Sequence, residues 1–312
     1  MTLTFSCIAV VGATGPTGRV LAVELEEHGY TVRAVSRRLD TLKKYFPSPR
    51  IEKKSGDALD FTSLANALAG CDLVVDCIGL PGRRMADHPA TARNIARWID
   101  ESGARAVQVS SYWSFMPIER LPLAEDHPRA DGPPWVRCRR EAEEILRRAG
   151  AAVVHLPDFF GPHVHTGSLQ MAITDAVRGK PMVWFGAADV ARDYIYVPDA
   201  MRVVTQLLIQ EAAYGEGWVV PGSGPVSANE IAGMLAQLLG RKISVRAAPP
   251  WLLRAVSLFN RELRDFMPLV PEYVKPISYD GKKLSRLLGT TPRTPYQKAL
   301  ATTIASLRSS SM

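Results

Sequence analysis

No apolar run in this 312-residue chain reaches the roughly 18 residues that a membrane-spanning helix needs, so no span is expected. The N-terminus has no basic stretch ahead of an apolar one, which argues against a secretory signal. Long basic runs with interleaved aromatics are missing too. The net charge of +7 comes from scattered pairs: Lys43-Lys44, Lys53-Lys54, Arg83-Arg84, Arg139-Arg140 and Arg147-Arg148. Nucleic acid is therefore not an expected partner. A mildly basic surface suits a small anionic molecule. Cysteines are few, at positions 7, 71, 77 and 138, without metal-ligand spacing, and no metal is expected. Cys7, Cys71 and Cys77 sit in apolar runs and read as buried thiols in a reducing, cytoplasmic setting. At 46% hydrophobic and 22% charged, the chain has the make-up of a globular protein with a real core.

The first half alternates short apolar runs with amphipathic ones. "CIAVVG", "TVRAVSR", "IEKKSGD", "CDLVVDCIG", "RAVQVSS" and "AAVVHLP" read as strands. "PTGRVLAVELEEHG", "FTSLANALAG", "ATARNIARWIDESG" and the stretch from 135 read as helices. Such alternation predicts right-handed βαβ units and an α/β fold with a doubly wound parallel sheet of the Rossmann type. After Pro157 the rhythm breaks into Gly- and Pro-rich loops, with helices at 168–178, 198–211 and 227–239. We expect residues 1–157 to form a dinucleotide-binding domain, with 190–218 returning to it. Residues 158–189 and 219–312 should form a smaller, mostly helical substrate lobe.

"VVGATGPTGRV" lies between the first strand and the first helix. Gly12, Gly15 and Gly18 allow a tight turn, close approach of a diphosphate and close helix–strand packing. With Thr14, Pro16 and Thr17 they place a helix N-terminus against that diphosphate. An acid for a ribose 2′-hydroxyl is missing after strand two, where the chain reads Ser36-Arg37-Arg38. A guanidinium there suits a 2′-phosphate, so NADP is expected rather than NAD. Asp57 and Ala58, after strand three, are placed for the adenine. Ile78 and Gly79, after strand four, are placed for the middle of the cofactor.

These segments in this order resemble the short-chain dehydrogenase/reductase superfamily, in its extended and atypical branches of the NAD-dependent epimerase/dehydratase type. "GATGPTG" is similar to the family's nucleotide loop and "GDALD" to its adenine contact. "VQVSSYWSF" resembles the segment with the catalytic serine, and "LPDFFGP" an R-P-x-x-x-Y-G-P turn. "GKPMVWFGAADVARDYIYVPDA" and "YDGKKLSRLLGTTPR" are similar to later family blocks. The likeness covers nearly the whole chain.

The resemblance implies a Y-x-x-x-K pair, whose tyrosine shuttles a proton while the lysine lowers its pKa and holds the nicotinamide ribose. "WVRCRREAE" occupies that place, with Trp135 at the tyrosine and Arg139 at the lysine. An indole cannot ionise usefully, whereas arginine keeps the charge and donors for the ribose. Leu156 stands where the family turn has its arginine, which argues against a nucleotide sugar. Ser111 and Tyr112, at the serine segment, are the candidate catalytic groups. Trp135, Phe160, His163 and His165 are candidates to contact a small-molecule substrate. The expected function is an NADP-dependent oxidoreductase or epimerase-like enzyme with a non-standard acid/base group, and a homodimer is the candidate assembly. The alternative is a non-redox catalyst, an NADP-sensing module or a structural subunit that keeps the dinucleotide site.

Overall fold

The computed structural model describes residues 2–309. Its first half runs β1 (Ile8–Val11), α1 (Pro16–Glu27), β2 (Val32–Ser36), α2 (Leu39–Tyr45), β3 (Ile51–Ser55), α3 (Phe61–Leu68), β4 (Leu73–Asp76), α4 (His88–Ser102), β5 (Arg105–Ser111), α5 (Pro134–Arg148) and β6 (Ala152–Leu156). The second half runs β7 (Phe159–Phe160), α6 (Ser168–Val177), β8 (Met182–Phe185), β9 (Arg192–Asp193), β10 (Ile195–Tyr196), α7 (Val197–Leu208), β11 (Gly217–Val219), β12 (Pro225–Val226), α8 (Ala228–Leu239), β13 (Val245–Ala248), α9 (Pro250–Ser257), α10 (Arg261–Phe266), α11 (Val270–Tyr273), α12 (Lys282–Leu288) and α13 (Tyr296–Ser309).

Seven parallel strands form the central sheet in the order β11-β6-β5-β4-β1-β2-β3. β1, β4 and β6 are buried along their whole length because helices cover both faces. The strand order reverses between β1 and β4, which opens a crevice at their carboxyl ends. Late in the chain, α7 packs on α1 and β11 pairs with β6 at the sheet edge.

A second core gathers Phe160, Ile173, Trp184, Tyr194, Ile231, Leu235 and Leu300. Here α8 starts with a capping box, Ser227 and Glu230 satisfying each other's backbone N–H. Three two-stranded sheets, β7–β10, β9–β12 and β8–β13, tie the loops that read as irregular. Helix α2 was not expected. It is seven residues long and has no side-chain cap, but Arg19 of α1 lies 4.2 Å over the Tyr45 ring, so its support is tertiary.

Candidate active site

The turn after β1 is closed by packing. Gly12 has φ +78°, and a Cβ there would lie 2.8 Å from the Cys77 carbonyl. A Cβ on Gly18 would lie 2.6 Å from the Gly12 oxygen. Gly15 differs: its φ is −76°, and its Cβ would meet the Gly12 oxygen at 3.2 Å. The fold thus demands glycine at 12 and 18, and at 15 it leaves only a tight fit. Gly15 is the N-cap of α1, no side chain caps that end, and Pro16 lacks an N–H. The N–H groups that open α1 therefore face the crevice.

Around this turn stand the ends of neighbouring strands. Thr14 Oγ1 lies 3.3 Å from Ser36 Oγ at the end of β2. Arg37 and Arg38 follow with exposed side chains. After β3, the Asp57 carboxylate accepts the Leu59 N–H at 3.0 Å, and the Ala58 carbonyl accepts from Asn94 at 2.8 Å. After β4, buried Asp76 accepts the Ile78 N–H at 3.0 Å. Burial pushes its carboxyl up to about 6, against the pull of that N–H and of Arg139. Gly79 is open on the Cβ side. Arg139, on α5, donates from Nη1 to Ser110 Oγ at 3.4 Å, while its Nε is buried without a partner.

Behind Arg139 lies a closed ionic cluster. Ser110 donates to Glu143 at 2.5 Å, Arg129 donates to Glu143 at 3.0 Å, and His155 Nε2 stands 3.2 Å from the same carboxylate. Burial alone would raise the Glu143 pKa, but His155, Arg129 and the Ser110 hydroxyl hold it at about 2.

Ser111 ends β5, and its Oγ accepts the Trp113 N–H at 3.3 Å. Tyr112 departs from the expectation of an acid facing an open cleft. Only 1% of it is exposed, its hydroxyl donates to Asp158 at 3.1 Å, and Arg192 donates to it at 2.9 Å. Burial and the Asp158 charge push its phenol well above the ordinary tyrosine value. Tyr273 donates to the other Asp158 oxygen at 2.9 Å. Burial also raises Asp158, with Arg192 pulling the other way. The Asp158 side chain keeps 15% of its surface exposed, against 2% for Arg192.

Trp135 stands at the first turn of α5. Its ring fills the space above Gly82, where an added Cβ would come within 2.4 Å. It stacks on Trp113 at 6.5 Å, and Trp113 meets Phe266 and Tyr273. Trp135, Trp113, Phe266 and Tyr273 thus form an aromatic wall at the start of α5. Phe160 is a correction: it is fully buried, 5.9 Å from the Tyr296 ring, in the second core, so packing explains it and substrate contact does not. His163 has φ +65° and is half-buried. Burial and the charge of Arg19 on α1 lower its pKa to about 4, so this imidazole is neutral at pH 7 and sits near α1. His165, two residues on, is exposed.

Asp158, Arg192 and Tyr273 carry no signal in the sequence that brings them together. Among the described residues, no group of three His, Cys, Asp or Glu is placed to hold a metal.

Comparison with known proteins bears on the family and the fold. A protein of Bacillus subtilis described as an uncharacterized UDP-glucose epimerase, YtcB, is 23% identical over 76% of this chain and 84% of its own. A dTDP-glucose 4,6-dehydratase of Salmonella typhimurium is 24% identical over 59% of this chain and 50% of its own. Among solved structures, the UDP-glucuronic acid 4-epimerase of Bacillus cereus with NAD aligns at TM-score 0.80 and 16% identity, covering 98% of this chain and 100% of that one. The dTDP-glucose 4,6-dehydratase of Bacillus anthracis with NAD aligns at TM-score 0.81 and 14% identity, covering 97% and 96%. At such identities these structures speak to the fold. The family model for NAD dependent epimerases/dehydratases matches residues 8–220, from β1 through the strand that closes the sheet, and the chain belongs to that family.

Proposed function

We propose that the protein is an NADP(H)-dependent oxidoreductase or epimerase-like enzyme acting on a small molecule, in which Asp158, positioned by Tyr112, handles the proton that a tyrosine at 135 would otherwise handle. One observation carries the cofactor: an uncapped α1 N-terminus behind Gly12 and Gly18, with Arg37 and Arg38 exposed beside it. The residues present fit a dinucleotide. The first-turn N–H groups would hold the diphosphate. Arg37 and Arg38 would meet a 2′-phosphate, and Asp57 would accept from the adenine amino group. The orphaned Nε of Arg139 suits a ribose hydroxyl. NAD in the Bacillus cereus and Bacillus anthracis structures supports a nicotinamide dinucleotide, and the choice of NADP rests on the two arginines.

When bound, that cofactor supplies or accepts a hydride. Ser111 orients the substrate oxygen through its hydroxyl. Asp158 is the network member with exposed surface and a raised pKa, so it gives or takes the proton, and the Tyr112 and Tyr273 O–H groups hold its carboxylate in place. Trp135, Trp113 and Phe266 exclude water and favour a substrate with an apolar part. The division into a cofactor domain (1–157 with 190–218) and a substrate lobe (158–189 with 219–312) belongs to this reading.

A second reading is retention of the cofactor without hydride transfer. The burial of Tyr112 and the indole at 135 favour it. Oxidation of NADPH against a panel of aldehydes and ketones separates the two. Our reading expects turnover with at least one compound, and Asp158→Asn should slow it about 10²- to 10⁴-fold at unchanged cofactor affinity. NADPH binding without turnover across the panel favours the second reading.

A further inference from the structure

The described surface exposes ten large apolar side chains, and five of them lie within nine residues: Trp251, Leu252, Val256, Leu258 and Phe259. Phe259 is 93% exposed and Trp251 69%. Scattered apolar residues need no explanation, but a contiguous group does. They belong to α9 and the turn after it, while Leu253 and Ser257 of the same helix are buried. The helix therefore has a satisfied inner face and an unsatisfied apolar outer one.

The charge around this group has one dominant sign. Residues 241–266 carry six bases, Arg241, Lys242, Arg246, Arg254, Arg261 and Arg264, against two acids, Glu262 and Asp265. All six basic side chains are exposed. Arg264 is fastened to the Ser257 and Leu258 carbonyls at 3.1 and 2.5 Å, which holds the turn that presents Leu258 and Phe259. Aromatic and leucine side chains that share α9, its turn and α10 with Arg254, Arg261 and Arg264 match an anionic lipid interface, where rings enter the headgroup layer and guanidinium groups meet phosphates. A second copy of the chain fits poorly, because two such basic surfaces repel.

We propose that α9 and the turn to α10 form a docking surface for an anionic lipid bilayer. The surface is peripheral. No helix among the described residues is long and apolar enough to cross a membrane. The next helix, α10, reaches the candidate site, since Phe266 at its end lies 6.1 and 4.8 Å from the Trp113 and Tyr273 rings. Docking would therefore set the aromatic wall beside the lipid surface. The proposal does not depend on which reaction the site performs.

The test is flotation of the full chain with vesicles of phosphatidylcholine alone or with about a third phosphatidylglycerol. Wild type should float with the anionic vesicles and at least tenfold less with the neutral ones. The triple variant Trp251→Ser, Leu258→Ser, Phe259→Ser should lose at least tenfold of the anionic binding. Arg254→Glu with Arg261→Glu should lose it as well. All five positions are exposed, and an unchanged thermal melt confirms that each variant is folded. Failure of wild type to float with anionic vesicles overturns the proposal, and so does undiminished flotation of the triple variant. A wild-type dimer in sedimentation that the triple variant converts to monomer also overturns it, by assigning the patch to a second copy.

Discussion

Glu143→Gln isolates one charge at the heart of the site. The carboxylate is buried on α5, one turn beyond Arg139, and is held by Ser110, Arg129 and His155. Its fall from the ordinary 4.5 to about 2 corresponds to roughly 3 kcal/mol of stability at neutral pH. Breaking a buried charged pair costs about the same, in the range of 3–5 kcal/mol. The folded value lies below the unfolded one. The contribution is therefore complete above about pH 4.5 and is lost as the pH falls toward 2. In that window the Glu143 term alone gives a slope approaching 1.4 kcal/mol per pH unit, which the glutamine variant lacks. Urea unfolding of both proteins at steps between pH 7 and pH 3 reads the difference directly. Wild type should be more stable by about 3 kcal/mol at pH 7, and the gap should shrink by about half by pH 3. A gap that stays constant across that range would refute the reasoning, because the stabilisation would then not come from the charge.

The other predictions separate ligand from scaffold. Gly15→Val should fold and lose cofactor binding, whereas Gly12→Val should be destabilised by about 2–4 kcal/mol, from a positive φ and a clash with the Cys77 carbonyl. Thermal melts beside NADPH titrations distinguish the two outcomes. Phe160→Ala should cost about 3–5 kcal/mol of stability and leave NADPH affinity within about twofold, as befits a core residue. A large affinity loss at preserved stability would return Phe160 to the site.

What could be read from the chain and what could not divides along sequence distance. β1, the glycine turn and α1 are contiguous, and each carries its own signal: an apolar run, the spacing of three glycines, a proline at the helix start. The sheet followed, because buried parallel strands are apolar throughout. The hydrogen-bond network around Asp158 did not follow. Tyr112 meets Asp158 across 46 residues and Arg192 across 80, and Tyr273 reaches Asp158 across 115. No local pattern encodes such contacts. The partners of Tyr112 lie far along the sequence from its own segment, Ser110-Ser111-Tyr112-Trp113. Phe160 failed for the same reason: Tyr296, the ring it stacks on, lies 136 residues on, in α13. Trp135 and Arg139 stood out in the sequence because they lie four residues apart at the start of one helix, α5. The closure of the aromatic wall by Phe266 was not legible, because it depends on how the late helices fold back.

The central claim is that this crevice holds NADP(H), with Arg37 reading the 2′-phosphate. Calorimetric titration of the purified chain with NADPH and with NADH tests it most directly. A charge-assisted phosphate contact is worth about 1.5–3 kcal/mol, so NADPH should bind roughly tenfold to a hundredfold more tightly. Arg37→Ala should erase most of that difference. Equal affinity for the two cofactors in wild type, or a preference for NADH, would contradict the account.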